Sequence, residues 1–276
     1  MRAQEEREFE FDHDDFNHLR ELVKRTTGIK LADSKYNLVY GRVSRRLRAL
    51  KLSSFRQYRS HLEKPGSNEL PELTNAITTN LTGFFREKHH FDRLKSDILP
   101  ELMDRHDIDR RLRVWSAGCS TGEEPYSIAM TLKEEITDKW GDVRVLATDL
   151  DTNVVAHGKA GLYDEKRFEN MSPAVQKRWF KRAGEESHQA SPRLQELITF
   201  KSLNLLHQWP MAGPFDIIFC RNVVIYFDQD TQRELFDRYA DLLAPNGYLF
   251  IGHSESLFKV CERFESIGNT IYRKLD

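Results

Sequence analysis

Two glycines and two glutamates share one short turn of the sequence, between an apolar run and a helical pattern. Gly118 and Gly122 flank this turn, and Glu123 and Glu124 begin the helix that follows it. A glycine-containing turn between a strand and a helix is typical of nucleotide-binding α/β units. Two carboxylates at the helix start would repel a phosphate, whereas they would attract a cationic amino group. The turn therefore predicts a ligand with an ammonium group.

The next apolar run, Val143 to Thr148, ends in a third carboxylate, Asp149. An acid at this point can accept hydrogen bonds from both hydroxyls of a ribose. A nucleoside with an ammonium group and no phosphate is S-adenosylmethionine, so we predict this cofactor. Residues at the ends of later strands should face the same crevice, because open α/β sheets bind ligands at their carboxyl ends. These residues are Asn204, Leu205, Arg221 and Asn222, with Tyr226 just beyond them. Asn222 is equally compatible with a turn, and Tyr226 with a half-buried core position.

The segment from Asn80 to Arg86 combines small polar side chains, two phenylalanines and a cation. Asn80, Thr82 and Arg86, together with the phenylalanines, can clamp a ligand that has a ring and a carboxylate. The same phenylalanines can instead anchor a domain junction, with Arg86 paired to a nearby acid. The sequence leaves both interpretations open.

Other reactive residue types do not form a recognisable site. His89 and His90 are adjacent, which is poor geometry for a metal, so no metal is predicted. The Ser/His pair between His253 and Ser256 lies on one loop and lacks triad geometry. Three cysteines without CxxC spacing argue against a zinc site or a disulfide framework, and they favour the reducing cytoplasm.

Short apolar runs supply the strands that position these residues. The predicted strands are residues 112–117, 143–148, 197–200, 215–220, 248–252 and 270–273. Between the second and third of these, residues 173–182 are predicted to be helical and residues 183–193 to be turn-prone. The pattern predicts an α/β fold with an excursion between two strands of the sheet.

A helix is predicted at about residues 88–106, leading into the first strand, and four more are predicted before residue 80, of which the second is basic. These four begin at Asp12 or Asp14, at Ser34, at Ser53 or Ser54, and at Asn68, and Gly28 ends the first. The arginines of the second helix, Arg42, Arg45, Arg46 and Arg48, are predicted to point away from the core and have no carboxylate partner four residues away. They form either an ordinary solvated surface or a docking surface for an acidic partner.

The composition predicts a soluble globular protein. Of the 276 residues, 39% are hydrophobic, and no run approaches the roughly 18 apolar residues that span a bilayer. The charged N-terminus argues against a secretory signal. A net charge of −1 argues against a protein that coats nucleic acid. We expect a monomer that stays in the cytoplasm and does not insert into a membrane.

Five motifs in register resemble the CheR family of chemotaxis receptor methyltransferases. They are TTNLTGFFRE, GCSTGEEPYS, TDLD, FDIIFCRNVVIYFD and GHSE, and the likeness covers nearly the whole chain. The resemblance implies a helical, receptor-docking domain at residues 1–80 and a Rossmann-like S-adenosylmethionine-dependent methyltransferase domain at residues 81–276, with a small β-subdomain inserted at about residues 161–203. It also implies methylation of glutamate side chains on the cytoplasmic helical bundle of chemoreceptors, which gives glutamate methyl esters and S-adenosylhomocysteine.

The resemblance also implies roles for single residues. The implied cofactor ligands are Asn80, Thr82, Arg86, one of Glu123 and Glu124, Asp149, Asn204, Leu205, Arg221 and Asn222. Helix direction favours Glu124 of the pair. We assign Arg86 and Tyr226 to orienting the reacting groups, and the arginines of the second helix to docking acidic receptor helices. Family members that bind a receptor pentapeptide tether resemble one another in a glycine-rich turn, whereas residues 183–193 contain a single glycine. We therefore expect activity without the tether.

Two other functions fit parts of the pattern. One is a methyltransferase that acts on RNA, with the basic helix on phosphates. The other is a module that senses the cofactor without catalysis. The neutral total charge argues against RNA, and the presence of Asn80, Arg86 and Tyr226 favours catalysis over sensing.

Overall fold

A computed structural model describes residues 7–105, 111–136 and 141–275. The chain divides into two compact units, the first ending at Thr79 and the second beginning at Asn80. Within the described ranges, none of the helices combines the length and the apolar character that crossing a membrane requires.

The first unit is all-helical. Its helices are α1 (His13–Thr27), α2 (Tyr36–Leu50), α3 (Phe55–Leu62) and α4 (Glu69–Ile77), with a 3-10 turn at Asp33–Lys35. Two of these helices begin where the sequence predicts, because the side chains of Asp12 and Ser54 accept hydrogen bonds from the first turn. Gly28 ends α1 in the left-handed conformation. The apolar faces of the helices meet in one core.

The second unit contains seven helices and ten strands among its described residues. The helices are α5 (Lys88–Arg93), α6 (Leu99–Arg105), α7 (Glu123–Glu135), α8 (Thr152–Ala160), α9 (Pro173–Trp179), α10 (Pro192–Gln195) and α11 (Gln229–Leu242). A π-helical stretch at Leu94–Ile98 joins α5 to α6, and 3-10 turns lie at Glu165–Phe168 and Val224–Tyr226. The strands are β1 (Arg111–Ala117), β2 (Asp142–Asp149), β3 (Leu162–Asp164), β4 (Phe180–Arg182), β5 (Ser187–Ala190), β6 (Ile198–Ser202), β7 (Phe215–Cys220), β8 (Leu243–Ile251), β9 (Phe264–Ser266) and β10 (Ile271–Lys274).

The large sheet has the strand order β6-β2-β1-β7-β8-β10-β9. The first five of these strands pair in parallel, and β10 is antiparallel to both β8 and β9. Strand β1 lies between β2 and β7, so the strand order reverses there and a crevice is expected at the carboxyl ends. A second, antiparallel sheet of order β3-β5-β4 is inserted between β2 and β6. The predicted fold class, an α/β domain with a β-subdomain insertion and a preceding all-α domain, is confirmed.

Three expectations about the insertion need correction. The helix predicted for residues 173–182 ends at Trp179, because Phe180 begins an edge strand and its side chain is buried. The turn-prone region contains a strand, β5, whose pairing with β3 and β4 overrides its polar composition. Residues 198–202 pair in parallel with β2, so they belong to the large sheet and the insertion ends before them.

Candidate active site

The turn after β1 depends on its two predicted glycines. Gly118 and Gly122 both have a φ of 101°, which favours glycine. A Cβ atom on Gly118 would lie 2.3 Å from a methyl carbon of Val223, and one on Gly122 would lie 2.6 Å from the hydroxyl of Tyr163. The absence of side chains therefore lets neighbouring elements approach the backbone of this turn.

The predicted ribose acid, Asp149, ends β2 beside this turn. One carboxylate oxygen accepts a hydrogen bond from the amide of Ser120 at 2.8 Å, and the other accepts one from the amide of Asp151 at 3.0 Å. Burial raises the pKa of Asp149, and these backbone donors oppose the shift. Each oxygen has a second lone pair, so the carboxylate can accept further donors.

The segment from Asn80 to Arg86 is fixed against the same turn and against α7. The side-chain amide of Asn80 donates to Asp151 at 2.7 Å, and the carbonyl of Asn80 accepts from the hydroxyl of Ser120 at 3.0 Å. The amide of Phe85 donates to the hydroxyl of Ser127 at 2.9 Å. Asn80 and Asp149 are thus linked through the residues that follow β1 and β2.

A cavity of about 510 Å³ lies beside this segment, within the usual size range of ligand pockets. It is lined by residues 81–83 and 85–88 and by Asn170. Arg86 is one of the lining residues, and its guanidinium donates to the carbonyl of Leu81 at 2.8 Å. Thr82 lines the same space, so two predicted site residues share one cavity.

Arg221, at the end of β7, is 6% exposed and joins several parts of the site. Its guanidinium lies 3.1 Å from the carboxylate of Glu124 and 3.3 Å from that of Glu87, and it donates to the carbonyl of Arg86. The hydroxyl of Ser116 donates to Glu124 at 2.8 Å. Burial raises the pKa of Glu124, whereas Arg221 and Ser116 act in the opposite direction. Arg221 therefore positions Glu124 and the backbone of Arg86.

The two glutamates of the turn have different partners. Glu123 is completely buried, accepts a hydrogen bond from Thr121 at 2.6 Å and pairs with Arg167 of the inserted subdomain at 2.5 Å. Glu124 instead contacts residues at the carboxyl ends of β1 and β7. The geometry of the helix start therefore separates the two carboxylates.

Glu87 was not predicted as a site residue, although it adjoins Arg86. Burial would raise its pKa, yet a hydrogen bond with His253 at 2.8 Å and the charge of Arg221 lower it to about 2. Glu87, His89 and His90 bring potential metal ligand atoms within 4.8 Å of one another, closer than their sequence spacing suggested. The guanidinium of Arg221, 3.3 Å from Glu87, opposes a divalent cation there.

Asn204 and Leu205 follow β6 and lie near the end of β2. The preceding amide, that of Leu203, donates to the carbonyl of Asp149 at 2.9 Å. The side chain of Asn204 accepts a hydrogen bond from the amide of Leu206, also at 2.9 Å, and Leu205 is buried. The loop after β6 is thus held beside the predicted ribose acid.

Asn222 and Tyr226 belong to the turn between β7 and α11. Asn222 has a φ of 59°, and its amide donates to the carboxylate of Glu255 at 2.9 Å. Tyr226 ends a 3-10 turn and is half-buried. Its hydroxyl makes no hydrogen bond to any residue in the described part of the chain. Asn222 is therefore a turn residue, and its role at the cofactor site stays a prediction.

Phe84 has a structural role. It is buried, with its ring centroid 5.2 Å from that of Phe168 and 5.0 Å from that of Tyr163. Phe84 thus anchors the segment from Asn80 to Arg86 to the inserted subdomain, while Phe85 borders the cavity.

The expected outward orientation of the basic helix is wrong for Arg46. Its guanidinium makes two hydrogen bonds of 2.8 Å to Glu69, whose side chain is 4% exposed, and it also pairs with Glu72 at 3.0 Å. The hydroxyl of Tyr58 donates to the same carboxylate at 2.9 Å. Both acids belong to α4. The lack of a carboxylate four residues away within α2 therefore does not leave Arg46 without a partner.

The other arginines of α2 differ among themselves. Arg42 donates to the carbonyls of Ile77 and Thr78, and Arg48 pairs with Glu8 at 3.0 Å. Arg45 is exposed. Of the four arginines predicted to dock a partner, Arg45 and Arg48 are therefore the exposed ones.

Two further residues near the site were missed, Asp151 and Glu255. Both lie inside motifs that the sequence already displays, TDLD and GHSE. Asp151 has a local signal, because it is the N-cap of α8 and accepts the amides of Asn153 and Val154. Glu255 has none, because three of the amides that it accepts are distant in the chain.

Two family models together match most of this chain. The family model described as CheR methyltransferase, SAM binding domain, matches residues 80–273, and the model described as CheR methyltransferase, all-alpha domain, matches residues 14–78. A probable chemotaxis protein methyltransferase of Rhizobium etli is 45% identical over 91% of this chain and 96% of its own length. Chemotaxis protein methyltransferase 2 of Pseudomonas aeruginosa is 46% identical over 96% and 94%, and the chemotaxis protein methyltransferase of Escherichia coli is 45% identical over 93% and 89%.

Proposed function

Because the chain belongs to the CheR methyltransferase family, we propose that it methylates glutamate side chains on the cytoplasmic helical bundle of chemoreceptors, in sensory adaptation. The products are glutamate methyl esters and S-adenosylhomocysteine. The single observation that supports this best is the network that joins Arg86, Arg221 and Glu124 at the carboxyl ends of β1 and β7. The network holds the guanidinium of Arg221 and the carboxylate of Glu124 at the strand ends, where open α/β sheets bind their ligands.

The carboxylates of Asp149 and Glu124 fit the polar groups of S-adenosylmethionine. Asp149 retains acceptor capacity for the ribose hydroxyls, and a bound ammonium group would favour the ionised form of Glu124, whose pKa burial raises. Glu124 is the proposed ammonium ligand because it contacts the carboxyl ends of β1 and β7, whereas Glu123 is completely buried against Arg167 of the inserted subdomain. The other proposed contributors are Asn80, Thr82, Arg86, Asn204, Leu205, Arg221 and Asn222. Of these, Arg221 acts by holding Glu124 in place. The proposal involves no metal.

The proposed chemistry needs alignment rather than proton transfer. A glutamate side chain has a pKa of about 4.3 and is already ionised at neutral pH, so no general base is required. The cofactor supplies an activated methyl group on a sulfonium. The protein must bring the carboxylate oxygen into line with that methyl group and exclude water. Charge is neutralised as the bond forms, so strong fixation of the substrate carboxylate would oppose the reaction. Arg86 and Tyr226 are proposed to orient the groups.

The first unit is proposed to dock the receptor, acting as the receptor-docking domain of a cytoplasmic, monomeric enzyme. Arg45 and Arg48 are exposed and suit acidic helices, although Arg48 also pairs with Glu8 of the same unit. Arg42 and Arg46 are held by groups of the unit itself. Arg42 and Arg46 therefore contribute to docking through the shape and stability of α2. Contacts between exposed charges are screened by salt, which gives the docking a measurable signature.

Arg45→Glu is expected to raise the KM for a receptor fragment by about fivefold, because one exposed attraction becomes a repulsion. The affinity for S-adenosylhomocysteine should not change, since the cofactor residues belong to the other unit. Initial rates at several salt concentrations would measure both effects. Lys64→Glu, at another exposed cation of the first unit, is the matched control. An equal effect of the two substitutions would contradict a specific role for α2.

The protein is proposed to act without a receptor tether. The connection between β4 and β5 contains only residues 183–186, with one glycine. An isolated pentapeptide from a receptor tail should therefore show no saturable binding by calorimetry at micromolar protein. Tight binding of that peptide would refute this part of the proposal.

Labelled methyl transfer separates the candidate functions. The protein would be incubated with cofactor that carries a radioactive methyl group, and with receptor fragments or RNA in separate reactions. The proposal requires label on the receptor fragments. Label on RNA would support the RNA methyltransferase, and binding of the cofactor without any transfer would support the sensor.

A further inference from the structure

Glu255 accepts four backbone hydrogen bonds although it lies outside the predicted site. It follows β8 and is 6% exposed. One carboxylate oxygen accepts the amides of Gly252 at 2.6 Å and Asn222 at 2.9 Å. The other accepts the amides of Val224 at 3.0 Å and Ile225 at 3.4 Å. A carboxylate with about four acceptor sites is the side chain that can satisfy such a set.

Three of these amides belong to the turn that contains Asn222 and Tyr226. Asn222 adopts the left-handed conformation, which asparagine tolerates better than most other residues with a side chain. The amides at the start of the 3-10 turn have no partner within the turn itself. Glu255 supplies that partner, so its charge stabilises the backbone conformation between β7 and α11.

The end of β8 is in close contact with this turn. A Cβ atom on Gly252 would lie 2.4 Å from the side-chain nitrogen of Asn222. Glycine at this position lets the backbone that leads to Glu255 pass beside Asn222. Burial raises the pKa of Glu255, and the four amide donors oppose that shift.

We propose that Glu255 is a positioning residue, which holds Asn222 and Tyr226 at the cofactor crevice through the backbone of their turn. The inference rests on the proposed function for the role of these two residues. Glu255 itself contacts neither cofactor nor substrate. The glutamate of the GHSE motif therefore holds a neighbouring turn, and this role involves neither the serine nor the histidine of the motif.

Glutamine tests the proposal because it keeps the shape of the side chain and removes half of its acceptors. Whichever way the amide is oriented, its NH₂ group faces two backbone amides that also donate. Glu255→Gln is expected to weaken S-adenosylhomocysteine binding by about tenfold, measured by calorimetry well below the unfolding temperature. Glu262→Gln, at an exposed acid in the same C-terminal segment, should leave binding unchanged.

A double-mutant cycle distinguishes positioning from plain stabilisation. Tyr226→Phe should lower turnover on a receptor fragment by roughly tenfold in the wild-type background, but by less than about twofold in the Glu255→Gln background. A purely structural role would lower the unfolding temperature and leave both the affinity of the folded protein and the effect of Tyr226→Phe intact. That result would overturn the proposal.

A second variant and the wild-type protein provide two further comparisons. If Glu255→Gln does not fold, Glu255→Asp retains the charge with a shorter reach, and wild-type affinity in that variant would contradict the proposal. If the wild-type protein itself fails to bind S-adenosylhomocysteine, the proposed function fails first. The two failures are therefore distinguishable.

Discussion

Asp149→Ala is expected to weaken the binding of S-adenosylhomocysteine by about 100-fold, because two charge-assisted hydrogen bonds to ribose, at roughly 1.5 kcal/mol or more each, would be lost. The carboxylate ends β2 and already accepts the amides of Ser120 and Asp151, so its position is fixed before any ligand binds. A preformed acceptor costs little ordering entropy on binding. Calorimetric titration of the two proteins would measure the difference.

The substitution also removes an acceptor from two backbone amides, so a second variant is needed. Asp149→Asn keeps the shape of the side chain and one acceptor, and it should fall between alanine and wild type. Asp104→Asn, at an exposed acid of the same unit, is the matched control and should bind like wild type. Unchanged affinity in Asp149→Ala, with the fold intact, would remove Asp149 from the proposed ribose site.

Arg86→Ala is expected to lower methyl transfer by more than about tenfold while the protein stays folded, since misplacement of the reacting groups reduces rate steeply. Arg86 lines the cavity, and the contact of its guanidinium with Leu81 is made by only one of its nitrogen atoms. The remaining donors can orient a carboxylate. Initial rates and circular dichroism would report activity and folding together.

The same variant decides which carboxylate Arg86 contacts. A rise in the KM for S-adenosylmethionine alone would assign it to the cofactor, and a rise in the KM for the receptor fragment alone would assign it to the substrate. Arg93→Ala, at a half-buried arginine of α5 that pairs with Asp97, serves as the control. Near wild-type turnover of Arg86→Ala at saturating cofactor is incompatible with the proposed role.

Much of the fold follows from local signals in the sequence. Asp12, Ser54 and Gly28 mark helix ends because their side chains or conformations satisfy backbone groups within a few residues. The strand at Phe215–Cys220 was predicted with its observed limits, because a fully buried parallel strand is a continuous apolar run. The order of these elements was sufficient to place Asp149 and Arg221 at strand ends.

What the sequence did not predict depends on partners that are distant in the chain. Strand β5 is polar and becomes a strand only between β3 and β4. Arg46 is held by Glu69, 23 residues away, and Glu255 accepts the amide of Asn222, 33 residues away. The difference between Glu123 and Glu124 depends on the position of Arg167 and Arg221 around one helix start. None of these pairings has a local signature.

The chemical identity of the bond that the protein forms tests the proposed function most directly. Receptor fragments labelled with radioactive methyl would be treated with mild base, which hydrolyses carboxylate methyl esters to methanol but leaves methyl groups on nitrogen intact. Glutamate methylation predicts that most of the label is released as volatile methanol, and that replacing the modified glutamates of the fragment by alanine abolishes incorporation. Label that stays bound after base treatment would contradict it.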